Sequence, residues 1–268
     1  MNSVLTKQMK QIELREEKFF TPKSDNFFTV RINPVVDKIS EKIPEKVKTS
    51  LDGAFYKGFE LIFEKGMGVI EKTYDKEKIL FDYDVNDYAV NKKLSSKYIK
   101  RLDRVSLCSN ALNSSISAIE GGVLGLLGIG LIDIPLFLSV IMKAINEVSL
   151  SYGFDYSKEE EKSYILTLIA CALEAPANQS DLNKKLDILG QNIDSQIVDV
   201  HDLKEEMKSA SAVLSDALLT AKFIQGIPIV GAVGGVVNLN IMNKITQFAK
   251  IKYKKRYLLK KAAEQEIK

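Results

Sequence analysis

The fold class is decided by the stretch Gly121-Gly122-Val123-Leu124-Gly125-Leu126-Leu127-Gly128-Ile129-Gly130-Leu131-Ile132-Asp133-Ile134-Pro135. It is apolar and rich in glycine, and the Gly121-x-x-x-Gly125 spacing removes side chains from one helix face, which lets two backbones approach. A second segment, Gly226–Asn238, has the same character and includes Pro228 and Gly231. The two segments predict a closely packed helical hairpin in the core.

Segment length decides whether these residues could cross a membrane. Pro135 lacks an N–H group and restricts the residue before it, so we expect the helix to break near Ile134. The part before the break extends only about 18 Å, whereas a bilayer core is about 30 Å thick. A charge at Asp133 costs roughly 2.5–3.5 kcal/mol at mid-span. A buried hairpin in a soluble core is favoured; a hairpin that inserts into a membrane and a true span are the alternatives.

The rest of the chain has helical periodicity and no sustained period-two alternation, which predicts an all-α protein. A capping-box pattern at Ser157–Glu160 predicts the start of one helix. Further helices are predicted up to about Lys18, around Val35–Ile43, from Ser50 to Thr73, from Ser95 to Ile116 and from Ile193 to Ile224. Loops are predicted at Asp82–Tyr88 and Pro176–Asp181. We therefore predict an N-terminal arm with short helices (residues 1–48) and a multi-helix domain with a glycine-rich apolar core (residues 49–268).

Composition limits the functional classes. An apolar fraction of 46% in 268 residues is enough for a sizeable core, and a net charge of +3 is too small to predict nucleic acid as a partner. The two cysteines, Cys108 and Cys171, form no C-x-x-C motif. The first residues lack the apolar region of a secretory signal. Together these features favour a cytoplasmic protein.

A basic run near the C-terminus is the strongest functional hint in the sequence. It follows an apolar helix and is interleaved with tyrosine and leucine, a pattern that can attract an anionic membrane surface at about 1 kcal/mol per charge. A solvated helix end is the alternative, since cations also suit a helix C-terminus. The residues are Lys250, Lys252, Lys254, Lys255, Arg256, Lys260 and Lys261.

Two spaced motifs resemble those of the EcsC family. The glycine-rich run with Gly121 and Gly122 leads to Asp133-Ile134-Pro135, and one helix later comes Tyr152-Gly153-Phe154-Asp155. The second motif is Ile227–Ala232, with Pro228 and Gly231, followed by Asn238 and the basic tail. The similarity extends from about Phe55 to Leu259. It implies a helical protein named for a genetic association with an ABC transporter, and it implies no particular enzymatic mechanism.

Few residues suggest catalysis. Asp133 suits a helix N-cap, with a polar functional role as the alternative, and Gly153 suits the left-handed end of a helix, with Asp155 or Ser157 capping the next one. The single histidine, His201, has no companion motif, and the glycines lack the Lys-Ser/Thr of a phosphate loop. No cofactor or metal is expected.

The sequence thus favours a membrane-associated accessory or regulatory protein that acts by binding, with the basic tail as its anchor on the inner face of the cell membrane. Its expected partners are an anionic membrane surface and a membrane protein such as a transporter. A soluble helical scaffold is one alternative. A hydrolase using Asp133 is another, weakened by the absence of a paired base.

Overall fold

The computed structural model describes residues 2–21, 43–107, 133–197, 202–224 and 235–266, and helices dominate each of these ranges. The all-α class is confirmed. The glycine-rich segments 121–132 and 226–234 and the predicted helix at Val35–Ile43 lie outside the described residues. The helices are α1 Ser3–Phe20, α2 Glu45–Leu61, α3 Met67–Glu71, α4 Lys76–Lys92, α5 Ser96–Leu107, α6 Asp133–Ser151, α7 Glu159–Leu173, α8 Pro176–Asp194, α9 Leu203–Ile224 and α10 Gly235–Glu266.

Helices α6 and α7 form the centre of the protein. Every residue from Phe137 to Tyr152 is buried, because α2, α4, α5 and α10 pack around α6, while α8, α9 and α10 pack around α7. Among the described helices, α6 alone is long and apolar enough to cross a membrane, over Ile134–Ser151, but 89% of that window is buried inside the protein. A helix that is apolar all round is expected in a core of this kind.

Helix α10 is the longest element, with 32 residues, or about 48 Å at 1.5 Å per residue. It packs against α1, α6, α7, α8 and α9. At its buried positions Phe248, Tyr253 and Tyr257 enter the core. Charged residues nevertheless occur on every side of α10. The sequence therefore has no single apolar stripe that would predict which side of the helix is buried.

Helix α2 approaches α6 closely at Gly58. A Cβ atom at this position would lie 2.7 Å from Leu138 Cδ1, so glycine permits the contact. A five-residue π-helical turn, Ile62–Gly66, then joins α2 to α3. The predicted start of this helix near Ser50 is wrong: α2 begins at Glu45, directly after Pro44, and the Ser50 hydroxyl donates to the Lys46 carbonyl at 2.8 Å.

Both predicted loops are helical. Asp82–Tyr88 lies inside α4, whose first turn is capped where Asp75 Oδ1 accepts the Lys78 N–H at 2.9 Å. Pro176 does not interrupt the chain but opens α8, because the fixed backbone angle of proline and its missing N–H group suit the first helical turn.

The predicted helix from Ile193 to Ile224 is interrupted. Helix α8 ends at Asp194, and Gln196 has a left-handed φ of 56°, while the Ile197 N–H donates to the Asn192 carbonyl at 2.9 Å. This bond closes the end of α8, and α9 begins only at Leu203. The apolar periodicity continues across the break, which is why the sequence suggested one helix.

The predicted capping box before α7 is also wrong. The Asp155 carboxylate accepts both the Ser157 N–H, at 3.0 Å, and the Ser157 hydroxyl, at 2.7 Å. The residue before α7 is Lys158, and no side chain caps the helix there. Asp155 and Ser157 therefore shape the preceding turn rather than the helix start.

Candidate functional site

The basic residues of α10 do not form an exposed cationic surface. Lys252, Lys254, Arg256 and Lys261 are buried, and Lys250 and Lys255 are partly buried, so only Lys260 of the predicted set is exposed. The buried cations pair with carboxylates from α1, α4, α5, α7 and α8. This corrects the expectation that the run is a solvated or membrane-facing helix end.

Arg256 is buried between two carboxylates and two aromatic rings. Its guanidinium makes two-pronged contacts with Glu161, at 2.7 and 3.1 Å, and with Asp194, at 2.6 and 3.0 Å. The rings of Phe154 and Tyr164 each lie 4.2 Å from its central carbon. Planar pairing and ring contact are the interactions that arginine makes better than lysine.

Helix α8 leaves room for this group at Gly190. A Cβ atom there would lie 3.0 Å from Arg256 Cδ and 3.0 Å from Tyr164 Cε2. The small residue thus lets the arginine and the tyrosine pass close to the α8 backbone.

Helix α1 is held by Lys252 and Lys255. Both ammonium groups contact the Glu16 carboxylate of α1 and the Asp187 carboxylate of α8, with Lys255 at 2.8 and 2.7 Å respectively. The Phe19 ring stacks on Phe248 at a centroid distance of 4.8 Å. Lys252 is fully buried, so its two carboxylate partners are needed to offset the cost of removing its charge from water.

Further pairs tie α10 to α4 and α5. Lys254 Nζ lies 2.7 Å from Asp103, which also accepts the Tyr152 hydroxyl at 2.9 Å. Asp87 of α4 accepts the Tyr257 hydroxyl at 2.7 Å and contacts Lys261 at 3.0 Å. The cations of α10 therefore fasten five helices into one network.

The Glu16 contacts give a pH prediction. Burial raises the pKa of Glu16, but Lys252 and Lys255 lower it by more, so its pKa lies below the usual value. A carboxyl group with a lowered folded pKa stabilises the fold above its unfolded pKa of about 4.3, and the gain is lost as the pH falls through the folded value. Denaturant unfolding at several pH values should show Glu16→Gln less stable than the parent at pH 7, with the difference shrinking below about pH 4.

Exposed Glu17→Gln is the matched control, since Glu17 is the neighbouring acid on the same helix. At pH 7 the free energy of unfolding of this variant should stay within about 0.5 kcal/mol of the parent's, because the side chain is exposed. A Glu16→Gln difference that stayed constant from pH 7 to pH 3 would contradict the assignment.

The family-motif positions are only partly described. Gly121, Gly122, Gly125, Pro228 and Gly231 lie outside the described residues. Helix α6 begins at Asp133 and α10 includes Asn238, but the structure describes neither side chain, so the proposed capping role of Asp133 stays a prediction. Pro135 lies in the first turn of α6, where proline is well tolerated.

Gly153 ends α6 as predicted. Its φ is 79°, its N–H donates to the Leu150 carbonyl at 2.9 Å, and the Phe154 N–H donates to the Ser149 carbonyl at 3.0 Å. These two bonds are those of the Schellman motif. The Tyr83 ring of α4 packs against the open side of Gly153, so the motif glycine also forms part of a tertiary contact.

Polar residues occur along the buried length of α6. Lys143 Nζ and Glu147 Oε1 are 3.8 Å apart. Near this helix, the Tyr74 hydroxyl lies 2.7 Å from that of Tyr156, which donates to Glu71 at 2.6 Å. Burial raises the pKa of Tyr74 to about 12, so this phenol is neutral at ordinary pH and can only serve as a hydrogen-bonding group.

The described residues offer little nucleophilic or metal chemistry. No group of three His, Cys, Asp or Glu side chains among them is arranged to hold a metal ion. Burial raises the pKa of Cys171 to about 12, which keeps this thiol protonated and poorly reactive. His201 and Cys108 lie outside the described residues, and the expectation that no cofactor is bound stays a prediction.

An exposed surface on α4 and α5 was missed by the sequence analysis. Phe81, Val85 and Tyr88 of α4 are all exposed, and the residues between Tyr88 and Arg101 include no acid. The five cations there, all with exposed side chains, are Lys92, Lys93, Lys97, Lys100 and Arg101. The spacing of four and three residues between Phe81, Val85 and Tyr88 could have identified this surface. It was overlooked because Asp82–Tyr88 was predicted to be a loop.

The chain is similar to known proteins over nearly its full length. The EcsC protein family model matches residues 6–258. The chain is 24% identical over 258 residues to Protein EcsC of Bacillus subtilis (strain 168), covering 96% of this chain and 98% of that protein. It is 22% identical over 173 residues to Uncharacterized protein YdbA of the same organism, covering 62% and 61% respectively. No solved structure matches the chain. Because the family model matches nearly the full length, the protein belongs to the EcsC protein family.

Proposed function

We propose that this protein is a membrane-associated accessory or regulatory protein that acts by binding rather than by catalysis, at the inner face of the cell membrane. A membrane protein, for example an ABC transporter, is its proposed partner. The observation that carries the proposal is a concentration of cations where α1, α5 and α10 meet. These cations differ from the α10 residues that the sequence first suggested.

The charges that act on Lys254 identify the cations of this group. Burial lowers its pKa, Asp103 opposes that effect, and the positive charges of Arg15 and Lys100 lower the pKa further. Arg15 and Lys100 are therefore electrostatic neighbours of Lys254, and both are exposed. Lys97 and Arg101 extend the exposed cations along α5. An anionic leaflet would attract such a surface with about 1 kcal/mol per charge.

The carboxylates support binding over catalysis. Glu16, Asp87, Asp103, Glu161 and Asp194 each contact a cation of α10. A carboxylate engaged in this way contributes to helix packing, whereas a general acid or base has to reach the substrate with which it exchanges a proton. A hydrolase built on Asp133 gains no support from these contacts.

Cosedimentation with lipid vesicles tests the proposal. The parent protein should pellet with vesicles containing anionic phosphatidylglycerol and not with neutral phosphatidylcholine vesicles. Binding should weaken between low salt and 0.5 M salt, because surface charges are screened over about 8–10 Å at ordinary ionic strength. The variant Lys97→Gln/Lys100→Gln/Arg101→Gln should lose most of the binding while its unfolding free energy stays within about 0.5 kcal/mol of the parent's.

A charge-matched control is available on α8 and α9. Lys184→Gln/Lys185→Gln/Lys204→Gln also removes three exposed cations and should leave vesicle binding close to that of the parent. Equal loss in both variants would show that net charge alone drives binding. Absence of binding to any vesicle would favour the soluble scaffold instead.

A further inference from the structure

Helix α4 has an apolar stripe on the side that faces away from the core. Phe81, Val85 and Tyr88 occur at i, i+4 and i+7, so they share one helix face, and their exposed fractions are 66%, 51% and 64%. The opposite face carries Val90, which is buried. Single exposed apolar residues are ordinary, but three in a row on one helix indicate an interaction surface.

Contacts with α10 fix the direction in which this stripe points. Asp87 accepts the Tyr257 hydroxyl at 2.7 Å, and Lys261 Nζ donates to Asn91 Oδ1 at 3.0 Å. The Tyr83 ring packs edge-on against that of Tyr257 at a centroid distance of 6.5 Å. Rotating α4 to cover the stripe would break all of these contacts, so the exposure of the stripe is built into the packing.

The charges around the stripe decide what kind of partner fits it. Beyond Tyr88 the next charged residues are the five exposed cations of residues 92–101, and Lys92 Nζ lies 5.4 Å from the centre of the Tyr88 ring. At the other end Lys78 and Asp82 pair at 2.9 Å. Exposed Asp84 lies at one edge of the stripe. The surface is therefore apolar in its middle. Exposed Glu77 lies one helical turn before Phe81, Lys92 lies beside Tyr88 at the C-terminal end, and the other four cations follow Lys92 in the chain.

We propose that this face of α4 inserts into the interfacial layer of an anionic lipid bilayer. Phe81, Val85 and Tyr88 enter the boundary between headgroups and acyl chains, and the cations of residues 92–101 contact the anionic headgroups. Aromatic residues beside basic ones are typical of proteins that lie in this layer. The inference rests on the proposed membrane association and adds to it the inserting element.

A single tryptophan gives a direct test, because the sequence contains none. Phe81→Trp should show a blue-shifted emission and quenching by brominated lipids in phosphatidylglycerol vesicles. Ile188→Trp is the matched control: Ile188 of α8 is 59% exposed, and its tryptophan should report water in the same sample. Removing the stripe with Phe81→Ser/Val85→Ser should weaken vesicle partitioning roughly tenfold or more, whereas Ile188→Ser/Ile197→Ser should not.

The outcomes separate the two proposals. If the protein pellets with anionic vesicles but the tryptophan at position 81 stays in water, membrane association stands and insertion of α4 is wrong. If the two serine variants partition equally, the stripe again has no part in binding. If the parent pellets with no vesicle, both the association and the insertion are wrong.

Discussion

Replacing Arg256 with methionine is expected to lower the free energy of unfolding by about 3–5 kcal/mol, the range found when one partner of a buried ion pair is removed. The buried Glu161 carboxyl group would be left without its two-pronged contact to the guanidinium. Methionine keeps only the aliphatic part of the side chain, so the loss would combine the ion pairs with the ring contacts of the guanidinium. Denaturant unfolding followed by circular dichroism measures the change.

Two companion variants make this result specific. Lys260→Met removes an exposed cation four residues along the same helix and should change stability by less than about 0.5 kcal/mol. Adding Glu161→Gln to Arg256→Met should restore part of the loss, because it removes the isolated charge. A cost below about 1 kcal/mol for Arg256→Met would mean that water reaches the pair. Replacing the α10 cations together, including Lys254, Lys255 and Lys261, is accordingly expected to unfold the protein.

Gly153→Ala is expected to cost about 2–5 kcal/mol, from a left-handed backbone worth about 1–2 kcal/mol and overpacking worth about 1–3 kcal/mol. The new Cβ atom would lie 2.1 Å from Tyr83 Cζ. Either the Tyr83 ring or the turn at the end of α6 would have to move. Thermal and denaturant unfolding of the variant measure the loss.

Gly53→Ala is a control of opposite sign. Gly53 is exposed within α2, and a Cβ atom there meets nothing within 4 Å. Alanine is a better helix former than glycine, so this variant should gain roughly 0.5–1 kcal/mol. If Gly153→Ala were as stable as the parent, the turn would tolerate a side chain, and the motif glycine would need another explanation.

The sequence predicted the features that depend on neighbouring residues. The left-handed end of α6 at Gly153 follows from a glycine placed just after an apolar helical run, and α1 follows from the spacing of Leu5, Met9 and Ile12. Helix α4 was missed because its acids and tyrosines resemble a loop. Asp87 contacts Lys261 and Tyr257, which lie about 170 residues away in the sequence. No local sequence pattern predicts such contacts.

The environment of the basic run in α10 likewise depends on residues that are distant in the sequence. Five of its seven cations pair with acids on helices distributed through the chain, from Glu16 of α1 to Asp194 of α8. A run of lysines with no acid nearby in sequence predicts an exposed surface, and that inference fails when other helices supply the acids. The exposed basic surface was instead on α5, where the nearby acid Asp103 is already bound to Lys254.

The contacts of α10 also bear on the order in which the protein can fold while the ribosome makes it. Lys252 and Glu16 are separated by 236 positions, so the counter-charge of Glu16 is synthesised long after α1. Before α10 is made, the acids of α1, α4, α5, α7 and α8 lack the cations that they contact in the folded protein. We therefore expect the packing of these helices around α10 to form late in synthesis, because contacts between distant parts of the chain require both parts to have been made.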